Sequence, residues 1–468
     1  MKPFTYNPNN TQPAIPYPVL EPFQPAVLAA HAYLDDIKAS GEAIPLLLAM
    51  PRPQGSISRF ETLACTATPL WRERLKRHLE RLVKFLLWAH GAEKLVIGGS
   101  PALAAFIRAV YSPEGARKFD YNFMTRVYNT PFEVISCGLD EVPSPTQSGK
   151  LLGHHLDGCR IGFDLGASDV KVSAVMDGKV VFSTELEWHP CEQSDPGYHK
   201  AFIREALKLA SAHLPKVDAI GGSAAGVYIN NQARIASLFR SVPESEYTHV
   251  HTLFDELTAE FSVPLVVIND GEVSALAGAM SLEDTGVLGL ALGSCEAVGY
   301  INPQGNLTDY LDELAFAPID VRSDAPPDEW SGDLGVGANY LSQQAVFRLA
   351  KVVGIPLPDK LSPAGRLEYI QGLLEQGHPG AQQIWQTIGV YLGYALAHYA
   401  DFYDFKHVLL LGRVTSLSGG QILLGQASKV LYEQFPELEE KISLHLPDEK
   451  TRRVGQAIAA ASLPVIER

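Results

Sequence analysis

The sequence predicts an α/β protein with two duplicated lobes around a central cleft and an extra N-terminal α/β region. Three observations carry this. From Ile161 onward, apolar strand-like runs alternate with helical periodicity, the pattern of strand–helix–strand units. Two blocks of that stretch each open on a strand–turn–strand unit, at 160–175 and at 286–301, which implies an internal duplication with a ligand cleft between its halves. The 468 residues, 46% of them hydrophobic, suffice for two or three domains at roughly 100–200 residues each. The expected division is an N-terminal region over 1–150, a first lobe over 151–285 and a second over 286–468.

In chain order, residues 1–25 are rich in proline and asparagine and read as an extended arm. A helix is expected over 26–38, then a strand over 43–50 that Pro51 and Pro53 stop. Residues 75–90 form a helix with Leu75, Leu79, Leu82, Leu86 and Leu87 on one side. Its other side, with Arg72, Arg74, Lys76, Arg77, Arg81 and Lys84, reads as a solvated basic face. The preceding 56–64 faintly resembles the opening helix of a DNA-reading module, but the surrounding prolines and strands do not suit one. A strand at 95–98 and a helix at 101–111 follow, and Pro143, Pro145, Thr146, Ser148 and Gly149 form a linker. The first lobe should hold helices at 199–214 and 255–261, strands from 217 and over 264–270, and a small-residue helix at 272–279. The second should hold helices at 340–353, 364–376 and 380–402, a strand at 407–412 and two further helices.

Composition narrows the function classes. A formal net charge of −15 disfavours general affinity for nucleic acid or an anionic membrane surface. No segment approaches the roughly 20 apolar residues of a membrane helix, and the first residues carry no hydrophobic signal core. Cys65, Cys137, Cys159, Cys191 and Cys295 lie far apart without a Cys-x-x-Cys pair. That suits reduced thiols in a cytoplasmic protein and supplies no zinc or disulfide framework.

Chemistry concentrates in four places. In the first strand–turn–strand unit, Asp164, Gly166, Ser168 and Lys171 surround a turn that can receive a phosphate. Gly166 permits φ > 0 and close backbone approach, so consecutive N–H groups can converge on an anion, while Ser168 adds a hydroxyl and Lys171 a mobile charge. Asp164 stands where a carboxylate can hold a hydrated magnesium ion. Taken alone, a plain β-hairpin explains these residues equally well. Asn269 and Asp270 end an apolar strand ahead of a helix, the usual ligand crevice of an α/β sheet. Burial would raise the Asp270 carboxyl toward the range of a general base, and Asn269 can fix a hydroxyl; the pair also has the composition of a helix N-cap. Gly293 and Ser294 form a second turn able to meet phosphates, or a plain hairpin turn. Gly412, Gly419 and Gly420 flank a loop before a helix, where small residues let a flat ring or phosphate lie against backbone.

In their order, Asp164-x-Gly166-x-Ser168-x-x-Lys171, Gly222-x-x-x-Gly226-Val, Asn269-Asp270, Gly293-Ser294 and the Gly412/Gly419-Gly420 loop resemble the ROK family. That family comprises bacterial sugar kinases and sugar-responsive repressors of the actin-like ATPase superfamily, with ribonuclease H-like lobes. The resemblance spans residues 158–465 and leaves the first 150 outside it. It implies ATP and Mg2+ as cofactors, a sugar as small-molecule ligand and a homodimer. It implies Asp164, Gly166, Ser168 and Lys171 as the first phosphate loop, Asp164 holding Mg2+ through water. Gly293 and Ser294 would form the second loop and Gly412, Gly419 and Gly420 the nucleotide-base loop. Asp270 would be the catalytic base, with Asn269, Gly226 and Glu313 on the acceptor.

The departures bear on the same sites. The family's Glu-x-Gly-His segment reads here as Glu313-Leu-Ala-Phe316, and Phe316 cannot ligate metal. The expected downstream cysteines are replaced by 330–340, so no zinc is expected, and Ala338 stands where a second sugar-binding glutamate would. Glu296 enters the second loop; a carboxylate about 4 Å from a phosphate charge costs on the order of 4 kcal/mol at intermediate dielectric unless it turns away or magnesium intervenes. Two readings follow: ATP-dependent phosphoryl transfer to a sugar or sugar-like hydroxyl, or a non-catalytic sugar- or nucleotide-binding sensor or regulator of the same fold. A DNA-binding repressor is disfavoured by the acidic balance.

Overall fold

Proline and glycine punctuate the N-terminal region. The computed structural model describes residues 12–147, 153–447 and 449–466, apart from 16 and 20; Ser148 and Gly149 of the expected linker and most of the expected arm lie outside the described residues. Helix α1 (Ala26–Ser40) follows Pro25 and ends on Gly41 at φ 70°. Strands β1 (Ile44–Pro51) and β2 (Ile57–Ala64) pair antiparallel. The stretch weighed as a DNA-reading helix is therefore a strand, with Ser58, Thr62 and Ala64 buried on one side. Helix α2 (Pro69–His90) starts with the Thr68 side chain accepting from Trp71 N–H and stops at Gly91. Strand β3 (Lys94–Gly98), α3 (Pro101–Val110), α4 (Lys118–Tyr128) and β4 (Glu133–Cys137) complete a sheet in the order β2-β1-β3-β4.

The expected basic face of α2 is not simply solvated. Lys84 is fully buried, donating to Asp120 at 2.6 Å and also to Asp333. Arg74 pairs with Asp36 at 2.6 Å.

The first lobe opens with β5 (Cys159–Leu165), β6 (Asp169–Met176) and β7 (Lys179–Glu187), an antiparallel meander. Helix α5 (Pro196–Ser211), β8 (Ala219–Ala224), the hairpin β9 (Val227–Ile229) and β10 (Gln232–Ile235), α6 (Tyr247–Phe261) and β11 (Leu265–Asn269) follow. The sheet order is β11-β8-β5-β6-β7, with β5, β8 and β11 parallel.

Helix α7 (Asp270–Leu282) leads to the second lobe: β12 (Val287–Leu292), β13 (Glu296–Ile301), α8 (Gln343–Val352), α9 (Pro363–Glu375), α10 (Pro379–Ala400) and β14 (His407–Leu411). Then come α11 (Gly419–Gln434), the short α12 (Pro436–Glu439), β15 (Ser443–His445) and α13 (Glu449–Ala461). Its sheet, β13-β12-β14-β15, repeats the order and directions of β6-β5-β8-β11, so the duplication is one of topology. Two helices cross over. Helix α7 lies on β12 and β13, while α13 returns to β5 and β8. Glycines allow both contacts: a Cβ on Gly162 would stand 2.3 Å from the Ala457 carbonyl and one on Gly299 2.1 Å from that of Gly271.

The first lobe has its own core around Phe163, Leu207, Phe254 and Leu257. Most of the N-terminal region's buried residues instead run in one continuous cluster from Leu48 and Trp88 into Leu290, Tyr340 and Tyr391 of the second lobe, with Ala49, Val96 and Val142 in a small cluster apart. Among the described residues no helix is long and apolar enough to cross a membrane, and all five cysteines are free.

Candidate active site

The first turn takes its shape from the β5–β6 register, which sets Asp164 opposite Lys171. Asp164 Oδ1 accepts from Ser223 Oγ at 2.8 Å and Oδ2 from Lys171 Nζ at 3.4 Å, beside a cavity of about 250 Å³ that Gln456 of α13 also lines. Lys171 meets Asp169 as well, at 2.9 Å. The turn is tighter than the sequence suggests. Gly166 does not adopt positive φ; its N–H donates to the Asp169 carbonyl at 2.9 Å, and its own carbonyl accepts from Trp188 Nε1 at 2.8 Å. Room, not φ, calls for glycine there: a Cβ would stand 3.1 Å from the Asp169 oxygen. Ser168 donates to Asp169 Oδ2 at 3.0 Å.

At the strand–helix junction both properties foreseen for Asn269-Asp270 coexist, divided between the two residues. Asn269 caps α7: Oδ1 accepts from Gly271 N–H at 2.7 Å, and Glu272 returns to Asn269 N–H at 3.1 Å, completing a capping box. Asn269 Nδ2 donates to the Gly226 carbonyl at 2.8 Å, so the amide fixes the backbone around the site at both ends. Gly226 sits at φ 125°, with the Ile235 carbonyl 2.5 Å from where a Cβ would be, and only glycine fits. Asp270 is the first residue of the helix. Burial, then the nearby Asp164 carboxylate, pushes its carboxyl up to about 6.

Glu313 reaches the same electrostatic neighbourhood from the second lobe. Its carboxyl is raised to about 7, first by burial and then by Asp270. The segment carrying it hangs on the C-terminus of α2: Asp312 N–H donates to the Ala89 carbonyl and Glu313 N–H to that of Trp88, both at 2.9 Å. These are the orphan acceptors of a helix end. Asp312 itself adopts φ 52°, buried, with Tyr403 OH donating to Oδ1 at 2.8 Å. Beyond it, Phe316 packs 4.5 Å from the Trp88 ring, and Ala338 is fully buried.

In the second turn, Gly293 N–H donates to the Cys295 carbonyl at 3.0 Å and Ser294 is exposed. Glu296 turns away from the turn. Its Oε1 accepts from Tyr399 OH at 2.9 Å, and burial raises the carboxyl to about 8, so it is largely neutral near pH 7 and adds little repulsion there. Gly412 has φ 91° and lies against Leu292, the end of β12. Gly419 and Gly420 are closely packed on one side. The space beside them is filled by Trp385 Nε1 and the Thr415 carbonyl, 2.3 and 2.4 Å from the respective Cβ positions. Their small size lets α11 start against α10.

The structure thus brings Asp164, Asp270 and Glu313 together, with Asn269 and Gly226 shaping the backbone around them. Sequence reasoning missed the N-terminal contribution. A second cavity, of about 400 Å³, lies beside Gly226, Asn269 and Tyr310, and Arg52 and Tyr128 close it. Arg52 is 4% exposed, pairs with Asp309 at 3.1 Å and donates to Ser58 Oγ at 2.9 Å. Nothing local marks a buried arginine between two prolines as part of a site more than 170 residues away. Among the described residues no group of three His, Cys, Asp or Glu side chains is arranged to hold a metal ion.

No protein-family profile matches the sequence, and no curated protein matches it. Solved structures do. A ROK-family transcriptional regulator, described as a homologue of the E. coli MLC protein, superposes with TM-score 0.53 at 19% identity over 66% of this chain and 79% of that one. A ROK hexokinase from Thermus thermophilus gives TM-score 0.51 at 17% identity over 64% of this chain and 97% of that one. The chain has the two-lobed, actin-like ATPase fold shared by ROK-family kinases and regulators.

Proposed function

We propose that this protein transfers a phosphoryl group from ATP to a hydroxyl of a sugar or sugar-like acceptor. The observation that carries the reading is Asp270: a partly buried carboxyl at the junction of β11 and α7, raised to about 6 between Asp164 of one lobe and Glu313 of the other. Such a group is mostly ionised at pH 7 yet basic enough to take a proton from an acceptor hydroxyl as the oxygen attacks phosphorus. Glu313 would orient that hydroxyl. Asn269, engaged by the fold at both amide atoms, holds the backbone that aims Asp270.

Asp164 fits a hydrated magnesium ion: it is a hard oxygen donor, 32% exposed, facing a cavity large enough for a hydration shell. When bound, the ion would neutralise charge on the transferring phosphoryl group. The turns at Gly166 and Gly293 would then bracket the phosphates, with Lys171 swinging from Asp164 and Asp169 toward them.

Purified protein incubated with magnesium-ATP and a panel of neutral and amino sugars should release ADP with at least one of them. Asp270→Asn should lower kcat by ~10²–10⁴-fold while leaving the thermal transition in place. ADP release at background for every sugar removes the kinase reading. The sensor reading draws on a separate observation: the N-terminal region touches both lobes, holding Glu313 from α2 and placing Arg126 of α4 over the Tyr247 ring of the first lobe at 5.1 Å. A ligand that closes the cleft would have to strain that bridge. Sugar-induced thermal stabilisation that survives Asp270→Asn without any turnover would favour it.

A further inference from the structure

A cavity of about 440 Å³ lies between α1, α2 and the end of α10, in the part of the molecule formed jointly by the N-terminal region and the second lobe. It exists because α1 turns Ala26, Ala29 and Ala30 toward it, at the spacing of one helical face, leaving side-chain volume unfilled. Tyr33, Phe60, Leu82 and Phe402 supply apolar walls. One helical stripe of α2 brings Arg74, Arg77 and Arg81 to the lining, three of the residues expected to form a solvated basic face.

These guanidiniums differ in how far the fold satisfies them. Arg74 pairs with Asp36 at 2.6 Å. Arg81 reaches Glu80 at 3.6 Å and the Leu334 carbonyl at 3.3 Å. Arg77, exposed at the rim, donates to the Val321 carbonyl and, among the described residues, has no carboxylate within ion-pair distance. The lining's own acids are Glu61, exposed at the rim, and Asp401, held by His31 at 3.0 Å. A separate sign of an absent partner is His398. It is 6% exposed, its Nδ1 makes no hydrogen bond, and the closest carboxylate oxygen, on Asp401, is 3.9 Å away. A nearly buried polar atom without a partner, beside a cavity with apolar walls and a cationic stripe, is the lining a ligand completes.

We propose that this cavity binds a small amphipathic acid: an apolar body seated against Tyr33, Phe60 and Phe402, with a carboxylate on the Arg77–Arg81 edge. The fork of guanidinium donors matches a carboxylate, and the apolar walls favour an apolar body over a strongly hydrated one. The site is independent of Asp270 and of the transfer reaction.

Decanoate, titrated calorimetrically into the full-length protein below its micellar concentration, tests this, with decanol as the neutral control. Saturable one-to-one binding is expected, at least ~tenfold tighter for decanoate than for decanol, a factor worth about 1.4 kcal/mol. Arg77→Glu, at an exposed position, should weaken decanoate by ~tenfold or more and leave decanol unchanged. Ala30→Trp should abolish both, whereas Asp270→Asn should alter neither. Equal binding of the two probes, or decanoate affinity unchanged in Arg77→Glu, overturns the proposal. Should Ala30→Trp fail to fold, the Arg77→Glu comparison decides alone.

Discussion

The two lobes repeat one strand order but are stabilised differently. The first buries its sheet against α5 and α6 and closes a core of its own around Phe163 and Phe254. The second shares its core with the N-terminal region, so that Trp88 and Phe316, separated by more than 220 residues, pack at 4.5 Å. The difference matters because each lobe delivers one side of the candidate site. Asp164 stands on β5 of the first sheet and Asp270 at the end of β11, where α7 crosses to β12 and β13. Glu313 stands on an irregular segment whose N–H groups are held by the last carbonyls of α2. Helix α2 is therefore part of how the Glu313 side of the candidate site is made.

Paired truncations break the comparison most forcefully. Trp88→Ala and Phe254→Ala both empty fully buried aromatic positions, and each should cost about 3–5 kcal/mol in denaturant unfolding. Their effects on the site should diverge. Trp88→Ala loosens the segment below Glu313 and leaves Asp120, which accepts from Trp88 Nε1, to Lys84 alone, so KM for the acceptor should rise several-fold. Phe254→Ala should leave KM within a factor of about two at temperatures where the protein stays folded. Equal KM changes would mean that the N-terminal region does not set the acceptor side.

Glu296 sharpens the contrast between the two turns. The first keeps its carboxylate, Asp164, half-buried and bonded to a lysine; the second turns Glu296 into the core against Tyr399. Its folded value of about 8 lies above the unfolded one, so the folded state holds the extra proton. Stability from this group is intact below about 4.5, is lost progressively from there to about 8 and is level above. Glu296→Gln, neutral at every pH, should match the parent in melting temperature at pH ~4, exceed it increasingly up to pH ~8 and level off beyond. A pH-independent difference would show that this carboxyl does not titrate in the folded range.

How far this was legible from the sequence follows from the range of the interactions. The duplicated strand–turn–strand units announce themselves locally, because alternating apolar residues and a turn residue lie within some fifteen positions. So does the Asn269-Asp270 junction, although the sequence could not divide its labour: Asn269 as cap depends on Glu272 nearby, but its hold on Gly226 depends on a hairpin formed elsewhere. Gly166 looks like a φ > 0 glycine and is a space-saving one, a distinction decided by where Asp169 turns back. Lys84 sits in a row of basic residues and is the buried one, because Asp120 and Asp333 arrive from distant segments. Strand β2 read as a possible helix because its neighbour in the sheet, β1, gives it meaning. The core that the second lobe shares with β1, α2 and their neighbours was invisible for the same reason: no short stretch encodes an interface.

The pH dependence of turnover tests the first lobe's share of the site. With Asp270 raised to about 6, kcat/KM should be level near pH 7 and fall toward ~tenfold per unit below 6 as the base becomes protonated. Replacing Asp164 by Asn removes the second-largest cause of that shift and should move the break to lower pH, alongside any loss of metal affinity. An unmoved break would place the titrating group elsewhere.

The smallest expected effect concerns the bridge between the lobes. Arg126 of α4 is half exposed, lies over Tyr247 at 5.1 Å and reaches Glu244 only at 3.8 Å. An exposed contact of this kind contributes about 0.5–1 kcal/mol, so Arg126→Ala should scarcely move the thermal transition. Its consequence should appear in closure. If the N-terminal region restrains the first lobe while gripping the second, releasing this single contact should favour the closed cleft and lower KM for the acceptor by up to ~fivefold, the equivalent of that energy. The same substitution should leave the pH profile of kcat/KM unchanged, since Arg126 lies far in sequence and in partners from Asp270. A raised KM would mean the contact holds the cleft ready, and the N-terminal region would then be a support for the open, substrate-accepting form rather than a restraint on closure.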